Sequence, residues 1–411
     1  MLSRNRDEEF SLGLDHELPL SMDVNLVVGG FWQDKDRHTD ISESEQDDEL
    51  DNRDWDVSVD TPATLPGAFG DFERVDGGLS DIEEQRFDLF ALVEGDHENV
   101  SWEAGVRWEN TSVEITDFTV DPAIAENEND YDYFLPSASL KYAIGDGRIT
   151  ASAARTVRRP GFDFLSPATL EEELGDHDLR GNPLLMPEKA WGGDLGYEHR
   201  LGRTGVVGVN VFYRDIQDLV EIVNTGEVRV EDEGTEDEEE FLILQPRNVG
   251  DGEVYGIEFD LSTDLGFVGL PDTGVFGNVS WLDSSIEDVL GERRFNNQSE
   301  YVYNFGFIQN LREWAAAFGA TYRKQGPAFG RFVAEEVTTT YGADLEIFVE
   351  KRFGDSFTIR AVGSNLLNGK KRETFNKFDT IEDQVDRDFD EYELEAEEAG
   401  PVFQLVGRYA F

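Results

Sequence analysis

The sequence predicts an all-β protein in which about fifteen antiparallel strands follow one another as an up-and-down transmembrane β-barrel. Three observations support this prediction. Apolar and polar residues alternate in segment after segment, which is the side-chain period of a strand with two different faces. Short and long connections between these segments also alternate. The final segment, PVFQLVGRYAF, carries aromatic side chains on one face up to the end of the chain.

The composition limits the possible classes of protein. The chain has 411 residues, 39% of them hydrophobic, but no run approaches the roughly 18 apolar residues of a membrane helix, which excludes a helical membrane protein. A net charge of −54 makes nucleic acid and anionic membrane surfaces poor partners. Cysteine is absent, so disulfides, thiol catalysis and thiolate metal sites are excluded.

The predicted strands are recognised by their alternating apolar positions, and we expect about fifteen strands of roughly ten or more residues, the length of tilted membrane strands. No helical period is sustained anywhere in the chain. In chain order the strands are Glu8–Leu18, Met22–Leu26, Phe87–Val93, Trp102–Trp108, Tyr133–Ala143, Arg148–Val157, Trp191–Tyr197, Val207–Tyr213, Tyr255–Leu261, Val275–Trp281, Tyr301–Phe307, Trp314–Tyr322, Leu345–Val349, Phe357–Ala361 and the closing strand Pro401–Phe411.

Two strands predict which side chains face lipid. We expect Tyr255, Ile257 and Phe259 to point outward, with Glu258 and Asp260 toward the lumen, because lipid favours apolar side chains. In the strand that closes the barrel the same alternation applies, although this segment alone also fits the edge strand of a soluble sandwich. Its expected outward residues are Phe403, Leu405, Tyr409 and Phe411, and its expected lumenal residues are Gln404 and Arg408.

The connections favour the barrel over the sandwich, because short turns on one side and long loops on the other are typical of outer-membrane barrels. The long loops are strongly acidic: eight of the ten residues 231–240 are Asp or Glu. They are interpreted as solvated tips or, alternatively, as a surface for divalent cations, without a spaced ligand pattern. The short connections are Leu18–Ser21, Asp96–Asn99, Gly145–Gly147, Leu201–Gly205, Leu311–Glu313 and Phe353–Ser356, and the long ones are 37–83, 119–131, 159–187, 225–250, 289–298, 325–337 and 379–399.

Three consecutive segments resemble the barrel of TonB-dependent outer-membrane receptors. They are Arg155–Pro167 (RTVRRPGFDFLSP), Arg180–His199 (RGNPLLMPEKAWGGDLGYEH) and Val211–Glu221 (VFYRDIQDLVE). A strand that ends in Arg-Pro is followed by a loop and then by a Gly-Asn-Pro…Pro-Glu turn. Weaker matches in the same order are Gly105–Thr111, Leu135–Tyr142, Arg247–Leu261, Val362–Asn368 and the terminal Phe411.

The resemblance implies that residues 1–411 form the C-terminal part of a 22-stranded barrel whose plug domain and first strands are absent. The N-terminus also lacks the apolar region of a signal peptide and runs at once into a strand, which fits that interpretation. The implied location is the outer membrane of a Gram-negative bacterium. The implied partners are outer-membrane lipid, a TonB-type energy-transducing protein acting through the plug segment, and a small-molecule or glycan ligand. No cofactor is expected.

The function that the resemblance implies is energised uptake of a scarce, bulky nutrient, most commonly a ferric siderophore and otherwise cobalamin, haem or a glycan. Arg158, Arg159, Phe162 and Phe164 stand at one loop mouth, where arginine would recognise acidic groups and aromatic rings would stack. The same residues are also explained by barrel architecture alone. A passive porin-like channel and an adhesive surface barrel remain alternative functions.

No catalytic motif is present, so the sequence does not predict an enzyme. The five histidines are scattered, and no hydrolase elbow, zinc-protease motif or phosphate loop occurs. Composition leaves a two-carboxylate glycosidase open, but no pair of carboxylates stands out among so many. We therefore expect neither catalytic nor metal-ligating residues.

Overall fold

The computed structural model describes residues 1–43, 72–174, 177–231, 239–288, 290–332, 334–378 and 381–410. Among them, no helix is long and apolar enough to cross a membrane. Fifteen long strands form the wall: β1 (Leu2–Pro19), β2 (Val24–Glu43), β3 (Glu73–His97), β4 (Val100–Asp117), β5 (Glu126–Ile144), β6 (Gly147–Arg158), β9 (Glu188–Leu201), β10 (Gly205–Glu231), β11 (Glu239–Leu265), β12 (Leu270–Asp288), β15 (Tyr301–Leu311), β16 (Ala316–Gln325), β19 (Asp344–Phe353), β20 (Phe357–Ser364) and β23 (Val402–Tyr409).

Shorter elements lie in the long connections between wall strands. Two of them are short helices, α1 (Phe162–Leu165) and α2 (Ile381–Asp386). The others are the short strands β7 (Thr169–Leu174), β8 (His177–Arg180), β13 (Gly291–Arg293), β14 (Gln298–Ser299), β17 (Ala328–Phe332), β18 (Glu335–Tyr341), β21 (Lys371–Lys377) and β22 (Glu391–Glu397).

Each wall strand pairs antiparallel with the next wall strand along the chain, so the wall is a continuous meander. The predicted number of strands and their order are confirmed. Within the described residues, β1 pairs only with β2, and β23 pairs only with β20. The outer edges of these two strands therefore carry unpaired backbone groups.

The wall has an apolar outer face. Ile257 and Phe259 are 44% and 45% exposed, and Phe403 and Leu405 are each 76% exposed. Tyr409 is exposed on the same face of β23, whereas Phe411 lies outside the described residues. On neighbouring strands the aromatic rings of Phe10 and Trp32 lie 5.8 Å apart. Exposed aromatic rings in a band are the usual boundary of a membrane barrel with the lipid headgroups.

The inner face of β3 to β5 carries the main apolar cluster. Its wall members are buried against side chains from the loop between β6 and β9, which we call the mouth loop (159–187). The loop therefore folds inward over the lumen instead of projecting from the rim. The cluster comprises Ile82, Val113, Ile115, Tyr131, Tyr133, Leu165 and Leu185.

Seven short turns lie at one end of the wall, which we call the short-turn end, and the long connections lie at the other, the long-loop end. The prediction that 225–250 is a long loop was wrong for the described residues of that range, because β10 and β11 remain paired as far as Glu231 and Glu239, while 232–238 lie outside the described residues. Phe241 and Leu244 are buried there. The many acidic residues obscured an apolar pattern that continues beyond the membrane band.

Two further predicted loops, 325–337 and 379–399, contain strands of a second sheet with the order β14–β17–β18–β21–β22. Three of these strands are separated by short breaks from the wall strands that precede or follow them. At one break the N–H of Gly342 donates to the carbonyl of Lys370 at 2.7 Å. A Cβ at Gly342 would overlap the backbone of Gly369, so glycine is required where the two segments cross.

Candidate functional site

The first half of the mouth loop begins where β6 ends at Arg158. Pro160 has no N–H for the strand ladder, which accounts for the end of the strand at the rim. The chain then makes the single turn of α1, closed by a hydrogen bond of 2.8 Å from the N–H of Ser166 to the carbonyl of Phe162. This turn places Phe162, Phe164 and Leu165 against the apolar cluster on the inner wall.

The second half of the mouth loop is held by Gly181 and Asn182. The N–H of Asn182 donates to the carbonyl of Phe164 at 2.7 Å, and its Nδ2 donates to the carbonyl of Pro246 at 2.9 Å. A Cβ at Gly181 would overlap the carbonyl oxygen of Ser166. The Gly-Asn-Pro turn therefore joins the two halves of the loop and fastens both to β11.

A third connection holds the loop at its exit. The Nδ2 of Asn248 donates to the carbonyls of Met186 and Asp218 at 2.9 and 2.8 Å, and its Oδ1 accepts from the N–H of Met186 at 2.9 Å. Asn248 belongs to the RNVG segment of β11, which the sequence resemblance includes. The Asn248 side chain therefore provides hydrogen-bond partners for backbone groups of Met186 and Asp218 that no strand ladder pairs.

Arg159 is turned toward the wall. Its Nη2 donates to Oε2 of Glu109 at 2.6 Å and to Oγ1 of Thr111 at 3.2 Å, and its guanidinium lies 6.0 Å from the centre of the Tyr131 ring. Only 16% of the side chain is exposed. The charge of Arg159 is therefore used to neutralise a buried carboxylate of β4.

Glu109 belongs to a larger ionic network on the lumenal face. Arg86 donates to Glu109 at 3.0 Å and also to Asp88, which is fully buried. Arg107 donates to the same Asp88 at 3.0 Å. Arg86, Arg107 and Glu109 line a cavity of about 540 Å³, together with Arg155, Arg159 and other residues of β3 to β6.

Arg158, in contrast, is turned toward solvent. Its side chain is 80% exposed, and one guanidinium nitrogen lies 3.3 Å from Oε2 of Glu188. Glu188 is itself nearly buried, and its other oxygen accepts from the N–H of Val220 at 2.8 Å. Glu188 therefore holds one nitrogen of the Arg158 guanidinium, while most of that guanidinium is exposed and can contact a ligand.

A cavity of about 260 Å³ opens beside these residues. It combines one exposed cation, two carboxylates and one aromatic ring, an arrangement that can hold an acidic or polar aromatic group of a larger ligand. Its lining residues are Arg158, Arg159, Pro160, Gly161, Asp163, Phe164, Glu188 and Val220.

The two predicted aromatic residues differ in position. Both pack against the inner apolar cluster, but Phe164 also lines the cavity, whereas Phe162 lies 5.5 Å below the guanidinium of Arg37. Arg37 also pairs with Asp163 of α1 and with Asp7 of β1, at 2.6 Å for the latter. Phe162 therefore helps to attach α1 to the wall. The structure brings three of the four predicted residues to one cavity.

Sequence reasoning did not single out Asp163 or Glu188, although both lie within the quoted motifs. It also missed a buried network at the long-loop end, where Arg293 pairs with Glu221 and Asp288, and Asp288 pairs with Arg331. Burial raises the pKa of Asp288, but hydrogen bonds from Arg293 and from the N–H of Leu290, with the charge of Arg331, outweigh it and hold this pKa below its usual value.

A second carboxyl group in the outer loops behaves similarly. The hydrogen bond from Arg180 holds the pKa of Glu227 below its usual value. Among the residues that the structure describes, no group of three or more His, Asp or Glu side chains is arranged to hold a metal ion. The two carboxyl groups named above, Asp288 and Glu227, are each paired with an arginine.

The chain was compared with known proteins. The family model described as "TonB dependent receptor-like, beta-barrel" matches residues 2–366. The comparison with curated proteins found no match. The family model therefore covers nearly the whole wall, including the mouth loop.

Among solved structures, the chain is similar to the copper transporter OprC with a TM-score of 0.66 and 14% identity, covering 100% of this chain and 59% of that one. It is similar to the ferric citrate transporter FecA with a TM-score of 0.65 and 11% identity, covering 99% and 55%. It is also similar to a ferric enterobactin receptor of Pseudomonas aeruginosa in complex with enterobactin, with a TM-score of 0.58 and 18% identity, covering 90% of this chain and 50% of that one. The chain thus spans little more than half the length of these proteins, and such low identities establish the fold alone.

Proposed function

Because this chain belongs to the family of TonB-dependent receptor β-barrels, we propose that it is the barrel wall of a receptor for energised uptake across the outer membrane of a Gram-negative bacterium. The proposed ligand is a ferric siderophore. The proposed partners are outer-membrane lipid and a TonB-type energy-transducing protein, the latter engaged through a plug segment. The observation that carries the proposal is the mouth cavity, which lies on the lumenal side of the wall at the long-loop end.

The mouth supports a ligand with acidic and aromatic groups. Arg158 presents an exposed guanidinium, which forms paired hydrogen bonds with carboxylates or catecholate-type oxygens. Phe164 offers an aromatic surface beside it. The cavity of about 260 Å³ is smaller than a typical site for a drug-sized ligand, so it would hold one arm of a bulky chelate rather than the whole molecule.

We assign different roles to the four predicted residues. Arg158 and Phe164 would contact the ligand. Arg159 and Phe162 would hold the mouth loop on the wall, because their side chains are engaged with Glu109 and Arg37 respectively. Of the four predicted residues, we therefore propose only Arg158 and Phe164 as ligand-binding residues.

Solved structures of this fold include proteins with other ligands: OprC is a copper transporter, and the hemophore receptor HasR is in complex with its hemophore and haem. An arginine at the mouth favours an anionic chelate over a free metal cation, which the exposed guanidinium would repel. A cobalamin, haem or glycan receptor of the same family is the nearest alternative, and a passive porin-like channel is the alternative of another class.

The test is uptake of ⁵⁵Fe-labelled ferric enterobactin and ferric citrate by cells that lack their own siderophore receptors and express this barrel wall together with the proposed plug segment. We expect saturable uptake that stops when a protonophore removes the proton gradient. Arg158→Ala should reduce uptake at low ligand concentration by about tenfold, which corresponds to the loss of one charged hydrogen bond. Arg74→Ala is the matched control, because Arg74 is an exposed arginine of β3, also at the long-loop end, 3.1 Å from Asp40.

The outcomes separate the alternatives. Uptake that is unaffected by the protonophore and does not saturate would establish a passive channel. Saturable, energised uptake of haem or cobalamin with no uptake of either ferric chelate would retain the receptor but overturn the siderophore assignment.

A further inference from the structure

Two exposed arginines lie close together where β9 leads into β10. Arg200 ends the regular part of β9, and Arg203 lies in the turn itself at the short-turn end. Both side chains are exposed. In the part of the chain that the structure describes, neither guanidinium makes a hydrogen bond, an ion pair or a ring contact, although the chain has 89 acidic residues.

These arginines border a groove of about 680 Å³ between two turns. The N–H of Arg200 donates to the carbonyl of Asp146 at 2.9 Å, which holds the β9–β10 turn against the β5–β6 turn. Glycines leave space in both turns. Its charged lining residues are Asp146, Arg148, Glu198, Arg200 and Arg203, with His199 beside them.

The register places three of the groove's charged residues, Arg148, Glu198 and Arg200, on the lumenal face. Arg148 lies directly opposite Glu198 and pairs with it at 2.5 Å. The alternate positions of β9, Leu195 and Tyr197, are exposed on the outer apolar face. Arg200 is two residues from Glu198, so its side chain leaves the strand on the same side as Arg148 and Glu198.

The groove is locally positive in a strongly acidic chain. Its fixed charges are Arg148, Arg200 and Arg203 against Asp146 and Glu198, with His199 at the border. Because Arg148 already neutralises Glu198, the two free guanidinium groups exceed the one remaining carboxylate. Guanidinium is the side chain that best matches the planar oxygens of carboxylate and phosphate groups.

We propose that this groove is an oxyanion site at the lumenal exit of the barrel, where a carboxylate or phosphate group of the ligand binds after it has passed the mouth. The assignment rests on the proposed function for the source of the oxyanion. Each end of β6 then carries an arginine that faces a cavity: Arg158 at the long-loop end and Arg148 at the short-turn end. The site is separate from the mouth cavity and shares no lining residue with it.

The test measures equilibrium binding of inorganic phosphate to the full chain in maltoside micelles, followed by broadening of the ³¹P resonance. The double variant Arg200→Gln with Arg203→Gln should weaken phosphate binding at least tenfold. Arg352→Gln is the matched control, because Arg352 is also an exposed arginine at the short-turn end with no described partner. Arg200→Lys with Arg203→Lys should restore part of the affinity, since the charges return without the planar geometry.

Equal affinity of the parent and the double glutamine variant would overturn the proposal, as would an equal loss in Arg352→Gln. A second titration in nanodiscs identifies the source of the oxyanion. If phosphatidylglycerol competes with phosphate and phosphatidylcholine alone does not, the site takes lipid headgroups and the assignment to a transported ligand is wrong. Because binding is measured without uptake, loss of this site and failure of the proposed transport function are distinguished.

Discussion

Arg159 and Glu109 join the mouth loop to the lumenal wall through a hydrogen bond of 2.6 Å between Nη2 and Oε2. The two residues are 50 positions apart in the chain, and both side chains are largely buried. The next residue toward the N-terminus, Arg158, points to solvent instead. One arginine of the pair thus anchors the loop, and the other is left for a ligand.

Replacement of Arg159 should therefore affect stability more than binding at the mouth. Arg159→Ala leaves the buried carboxylate of Glu109 with only Arg86 and the more distant Arg107, at 3.0 and 3.9 Å. We expect the free energy of unfolding to fall by about 2 kcal/mol, within the range for losing one hydrogen bond to a charged group, because Arg86 still compensates the carboxylate. Urea-induced unfolding in micelles measures it, with Arg158→Ala as the control that should unfold like the parent. Equal losses in both variants would contradict the different roles assigned to the two arginines.

Gly181 is required by the space between the two halves of the mouth loop. Gly181→Ala should destabilise the loop by about 2 kcal/mol or more, because the new Cβ would overlap the carbonyl of Ser166 and the backbone must move. Gly161→Ala is the control, since a Cβ there would meet no atom within 4 Å. Limited proteolysis within 159–187 should be faster only in the first variant. Equal cleavage rates for the two variants would show that the close approach at Gly181 does not hold the loop.

The network around Asp288 predicts a pH dependence. The folded state lowers the pKa of Asp288 below its usual 3.8, so this carboxyl group contributes stability that is complete above about pH 4 and is lost as the pH falls through the folded-state pKa. Asp288→Asn should speed hydrogen exchange in β13 and β17 at pH 7. The difference from the parent should diminish below about pH 4. A difference that is the same at pH 7 and in acid would exclude the carboxylate as its cause.

The wall strands could be predicted because their pattern is local. Alternation with period two, the rhythm of connections and the apolar face of the last strand are visible within a few residues. The second sheet could not be predicted in this way. In β22 the acidic residues Glu391 and Glu393 are tolerated because Lys377 of the adjacent β21 lies 3.5 Å from each. The charge of Lys377 can offset these carboxylates only because β21 pairs with β22, and the sequence of the acidic segment does not indicate that pairing.

The candidate site shows the same limit. The Arg-Arg-Pro motif predicted the end of β6, because Pro160 has no N–H to donate to the strand ladder. Which arginine is buried depends on Glu109 and Tyr131, which belong to two other strands. The role of Phe162 likewise depends on Arg37 of β2. Residues of a motif can be assigned to the site from sequence, but their separate roles require the register of the neighbouring strands.

The central claim is that the wall separates lipid from a polar lumen. The most direct measurement places a nitroxide spin label at position 257 or 258 of the protein in lipid bilayers and compares relaxation by oxygen, which enters lipid, with relaxation by a water-soluble nickel chelate. We predict that the label at Ile257 is relaxed mainly by oxygen and the label at Glu258 mainly by the nickel chelate, because adjacent residues of β11 face opposite sides. Equal accessibility of both labels to the two reagents would contradict the account.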